Sequence, residues 1–109
     1  QISAVRSADD GLLVLAAEQD GFSSLQLLKP DGQSKFKTRV GVSVANLDLR
    51  GNLACLSNGT HVLIVSLTDG SILLDQDVAA EVTRVAFAQD GSLTVVTRSG
   101  VLRLNPPAQ

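Results

Sequence analysis

Three glycines, Gly11, Gly51 and Gly91, stand at an even spacing of 40 residues. A chain that repeats in this way folds as a series of similar units, each needing its neighbours to bury its apolar face. The surrounding positions agree in kind: Ile2, Val42 and Val82 match, then Ser3, Ser43 and Thr83, then Leu13, Leu53 and Leu93. A second column holds Gly21, Gly59 and Gly100, preceded by Asp20, Asn58 and Ser99. A third, Asp31-Gly32 and Asp69-Gly70, follows 11 residues later in both complete copies, and the third copy stops short of it.

Each copy reads as short strands cut by turns. In the third, residues 82–88 alternate, Gln89-Asp90-Gly91 turns, and residues 93–97 are rich in β-branched side chains. Ser99-Gly100 then turns into a strand over 101–104. The middle copy predicts strands at 42–49, 53–57, 62–67 and near 72–74, with turns at Gly51, Asn58-Gly59 and Asp69-Gly70. Asn-Gly and Asp-Gly between apolar runs are strong hairpin signals, because both residues tolerate positive φ. Residues 12–18 could pass for a helix in isolation, but their register against the other copies predicts a strand.

Four antiparallel strands in every 40 residues match the period of a β-propeller blade. The segment 82–104 resembles the first three strands of a WD-repeat blade, in which Val-x-x-Val-x-Phe leads through an Asp-Gly turn to a Gly-x-x-x-Leu strand. The middle copy, closing on Asp69-Gly-Ser-Ile-Leu-Leu, is similar to a quinoprotein-type blade. The fold this implies is all-β: a propeller segment of about 2.75 four-stranded antiparallel blades, at 2–41, 42–81 and 82–105, with a tail at 106–109. Leu27, Val65 and Asn105 occupy the positions of the WD-repeat tryptophan, and His61 falls in the turn before the third strand. The hydrogen-bonded tetrad of that family is therefore not expected, and aliphatic packing must take its place.

Composition narrows the function. A chain of 109 residues is one small domain, and 44% hydrophobic content with only 18% charged residues excludes a disordered tail. A net charge of −2 supplies no field for gripping phosphates, and three Phe without Trp or Tyr make a thin stacking platform, so nucleic acid is not an expected partner. The single Cys55 excludes an internal disulfide and any multi-cysteine metal site. The apolar runs are too short for a membrane helix, so membrane insertion is not expected. A first residue of Gln rather than Met suggests a processed or excised piece of something longer.

Few residues carry visible chemistry. His61 is the only histidine and lacks a nucleophile-elbow context. The stretch from Asn46 to Asn52 has the alternating oxygens of a calcium loop, but Arg50 stands where a ligand is needed. Asn58-Gly59-Thr60 is a glycosylation triplet that also spells a hairpin turn. Cys55 reads as a small buried hydrophobe, and Asp9, Asp10, Asp75, Asp77 and Glu81 as solvated turn residues. Arg6, Arg84, Arg98 and Arg103 are the candidate partner-binding residues, since arginine is enriched at interface hot spots.

The reading that follows is a non-catalytic protein–protein interaction scaffold with no cofactor, completed by other chains or copies of itself. The alternative is a fragment of a propeller enzyme, quinoprotein-like or a hydrolase, whose catalytic residues lie outside this chain. A third is a secreted propeller carrying a glycan on Asn58; composition otherwise leaves the compartment open, leaning to the cytoplasm. Val5, Ala45 and Val85 in the first strands and Leu13, Leu53 and Leu93 in the second are expected to be buried, and both outer sheets to expose rows of valine and leucine.

Overall fold

A computed structural model of the chain describes residues 2–106. It contains eleven strands and, among the described residues, no helix. β1 (Ile2–Ala8), β2 (Gly11–Ala17), β3 (Phe22–Leu28) and β4 (Ser34–Val42) form a first antiparallel sheet in the order of the chain. β5 (Val44–Arg50), β6 (Leu53–Asn58), β7 (His61–Ser66) and β8 (Ile72–Asp77) form a second. β9 (Val82–Phe87), β10 (Leu93–Thr97) and β11 (Gly100–Leu104) form a third. Residues 12–18 lie in and just after β2, as their register predicts.

The turns repeat one local device. In Asp20-Gly21, Asp31-Gly32, Asp69-Gly70 and Asp90-Gly91 the glycine has positive φ, and the aspartate accepts the N–H two residues on, from Phe22, Gln33, Ser71 and Ser92. An aspartate side chain that mimics the backbone and a glycine free of Cβ strain close the hairpin without tertiary help. Hydrogen bonds from Ser71 and Ser92 hold the Asp69 and Asp90 carboxyls below their ordinary pKa.

The second sheet lies between the other two. Leu13, Leu15, Leu25, Leu27 and Phe36 of the first sheet pack on Ala54, Leu56, Leu63 and Val65 of the second. From its opposite face Cys55, Val62 and Ile64 pack on Val85, Leu93 and Val95 of the third. This explains why residues 54–57 of β6 and 62–66 of β7 are buried without a break, whereas β10 alternates: a strand covered on both faces has no solvent side. Burying each of these large aliphatic side chains contributes about 1.5–3 kcal/mol.

Three expectations need correction. Val42 ends β4, and Ser43 in the left-handed region (φ 54) separates it from β5, so the middle copy's first strand starts at Val44. Ala45 is exposed while Val44 and Leu47 are buried, because the ladder slips between Ala45 and Asp48. A slip of this kind turns neighbouring side chains to the other face. Val5 is 42% exposed whereas Val85 is buried, although both lie on the face turned toward the start of the chain. The second sheet covers Val85; none of the described residues covers Val5.

The leucine column behaves differently again. Leu13 and Leu93 are fully buried and Leu53 half-buried, but they do not share a face. Leu13 and Leu53 turn toward the next sheet, Leu93 toward the preceding one. The turn from β9 to β10 is one residue longer than its counterpart, which places Leu93 opposite Phe87 while Leu12 stands opposite Ser7. The structural partner of Leu93 is thus Leu12, and Leu12 is 47% exposed.

The outer faces are also unlike one another. That of the first sheet carries Val5, Leu12, Val14 and Leu28. That of the third carries Val96 and Val101 among Arg84, Thr94 and Arg103; Ser7, Gln26 and Lys37 share the first face, so polar groups interrupt the expected row of valines and leucines on both sides.

Candidate binding groove

The first strands β1, β5 and β9 each form one edge of their sheet, and they approach one another across the sheet boundaries. Between them lies a polar cavity of about 440 Å³. Its walls come from Ala4 and Arg6 of β1, Asn46 and Asp48 of β5, and Arg84 and Ala86 of β9, with Ser3, Leu47 and Val85 beside them; Arg6 enters from the face of β1 turned to the second sheet and Arg84 from the outer face of β9. The local irregularity in β5 helps to shape it. Asn46 sits in the left-handed region (φ 63), where a short polar side chain tolerates the strain. Its amide donates to the Ser57 hydroxyl at 2.8 Å and reaches the Thr83 carbonyl at 3.3 Å, tying β5 to β9.

The groove is electrostatically uncommitted at its two cations. Asp48 accepts the Phe87 N–H at 2.9 Å. Among the described residues Arg84 has no ion-pair or hydrogen-bond partner, and Arg6 donates only to the neighbouring carbonyl of Val5 at 3.0 Å. Lys35, Lys37, Arg39, Arg98 and Arg103, by contrast, all face carboxylates. Of the four arginines singled out from the sequence, the fold brings Arg6 and Arg84 into one cavity. Arg98 pairs with Glu81 at 3.0 Å, and Arg103 lies 3.8 Å from Asp90.

The other candidate residues are used locally. His61 Nδ1 lies 2.7 Å from Asp75 on an exposed patch of the second sheet, with Asp77 3.9 Å from its other nitrogen. Asp10 holds Lys35, which lowers the Asp10 pKa by hydrogen bond and charge. In the calcium-like stretch Asp48 turns to Phe87 and Asn52 to Thr68, so the oxygens do not converge. Asn58 closes β6 opposite His61, Gly59 and Thr60 form the β6–β7 turn, and the Asn58 amide lies against Gly41. Cys55 is fully buried between the second and third sheets, where desolvation and then the nearby Asp48 charge push its thiol up to about 12. Asn46, as a tie between the second and third sheets, is not legible in the sequence, where it stands only as one oxygen of a calcium-like stretch; its left-handed backbone has no signature short of the strand slip itself.

No protein-family model matches the chain, and no curated protein matches it. Among solved structures the chain is similar to one described as the crystal structure of the computationally designed Ika4 protein. The two share 19% sequence identity at a TM-score of 0.73, over 98% of this chain and 67% of that one. At this identity the likeness concerns the fold alone and carries no function across.

Proposed function

We propose that the chain is a run of β-propeller blades serving as a non-catalytic scaffold for protein–protein interaction, completed by further sheets from other chains or copies of itself. The observation that carries this reading is the pair Val85 and Val5. They hold matching positions, one buried by a neighbouring sheet and the other exposed on a face with no neighbour among the described residues. The resemblance of residues 82–104 to a WD-repeat blade supports it, as does the way neighbouring sheets approach through their first strands, the arrangement of blades around an axis.

The groove lining favours binding over catalysis. It holds one carboxylate, already accepting a backbone N–H, and neither His61 nor Cys55. Paired acids or a nucleophile with its base would be needed for the common hydrolytic routes. The net charge of −2 favours protein over nucleic acid as the partner.

Sedimentation of the isolated chain tests the assembly. Species heavier than 11.4 kDa are expected, rising with concentration, because the face bearing Leu12 and Val14 leaves apolar surface to water. Replacing Leu12 by Ser should reduce them. A monodisperse, cooperatively folding monomer at about 10 μM, a concentration at which a micromolar complex would be largely formed, removes the assembly reading.

A further inference from the structure

We propose that the groove between β1, β5 and β9 recognises an acidic peptide segment, with Arg6 and Arg84 each taking a carboxylate. The inference deepens the scaffold reading and rests on it, since it names the chemistry of a partner that such a scaffold would hold. Three observations lead to it. The two arginines come from opposite ends of the chain, yet line one cavity of about 440 Å³. Neither faces a carboxylate, in a chain where five other Lys and Arg side chains do. The acid nearest to hand, Asp48, is engaged by the Phe87 N–H.

A guanidinium presents donors in a fixed fork that fits a carboxylate in two parallel hydrogen bonds, a better bond than water offers in a partly enclosed groove. Each of β1, β5 and β9 is also the first edge of its sheet, so backbone donors and acceptors are available beside the arginines for an extended chain. A peptide satisfies both features at once. An isolated anion satisfies only the first. Asp48 sets the selectivity: its charge inside the groove opposes a dense polyanion and tolerates carboxylates spaced along a backbone.

The test uses the whole chain, a capped hexapeptide of alternating Glu and Ala as probe, and inorganic phosphate as the competing simple anion. Amide chemical-shift changes confined to β1, β5 and β9 are expected with the peptide, with affinity falling as salt rises. Arg6→Gln and Arg84→Gln should each weaken binding about tenfold, as loss of one charge-assisted hydrogen-bonded contact predicts. Arg84→Lys should restore part of it, since lysine keeps the charge but not the fork. Arg98→Gln, on a residue paired with Glu81, should leave binding unchanged. Phosphate binding as tightly as the peptide, or equal loss in the Arg98 variant, overturns the proposal. A monomer that still binds through both arginines leaves this inference standing and removes only the assembly. A chain that assembles but binds the peptide no more weakly as either Gln variant removes only this inference.

Discussion

Replacing Gly70 by valine is expected to lower the stability of the chain by about 2–5 kcal/mol, the sum of a backbone cost and a packing cost. Gly70 has φ 79, in the left-handed region, where a non-glycine residue costs about 1–2 kcal/mol. It is also where the second sheet touches the first. A Cβ built there would meet the Thr38 hydroxyl and the Phe36 ring, and the Thr38 hydroxyl donates to the Gly70 carbonyl at 2.6 Å. Forcing atoms into such a contact adds about 1–3 kcal/mol. Gly32 is the internal control. It stands in the same Asp-Gly turn of the first sheet with φ 88, and a Cβ there would have no atom within 4 Å. Gly32→Val should therefore cost the backbone share alone. So should Gly59→Val in the Gly59-Thr60 turn, where the glycine φ is 62 and the space is equally open. Urea midpoints at constant slope would separate the two shares. Equal losses at Gly70 and Gly32 would mean that the second sheet does not press on Phe36.

The same pair of glycines shows what sequence can and cannot carry. Both Asp-Gly turns were legible, because the device is local: the aspartate accepts from two residues ahead and the glycine takes the positive φ. Strand count and order were legible for the same reason. Faces were not. Leu13 and Leu93 share a column at the repeat period, yet one additional residue in the β9–β10 turn sends them to opposite sides of their sheets. The ladder slip after Ala45 accompanies bonds from Asn46 to Ser57 and to Thr83, the latter on a strand 37 residues away, which no window around Asn46 contains. The groove is of the same kind. Arg98 and Glu81 meet because neighbouring strands place them together, whereas Arg6 and Arg84 line one cavity only after three sheets have stacked.

Truncating Ile64 to alanine is expected to release the third sheet while the first two stay packed. Ile64 is fully buried and faces Val85, Leu93 and Val95 across the boundary of the second and third sheets. Its loss should cost about 3–4 kcal/mol, within the usual range for a buried Ile→Ala. In a series of sheets that touch only their neighbours, the loss concentrates at the damaged boundary. The third sheet is the weaker partner there, having three strands and one covered face. Cys55 reports the event. It is the only cysteine, it is fully buried in this same boundary, and burial pushes its thiol up to about 12. With the boundary closed, the thiol stays protonated at pH 8 and reagent cannot reach it. Opening exposes the thiol and returns its acidity toward the ordinary range, so alkylation follows the open population. At 1.36 kcal/mol per factor of ten, Ile64→Ala should speed alkylation of Cys55 by about 10²–10³. Leu15→Ala provides the counter-measurement. Leu15 is as deeply buried, but between the first and second sheets. It should weaken amide protection in β3 and β4 while leaving the Cys55 rate within about threefold. If Leu15→Ala speeds alkylation as much as Ile64→Ala does, the three sheets open as one cooperative unit, and the third has no separate equilibrium with the rest.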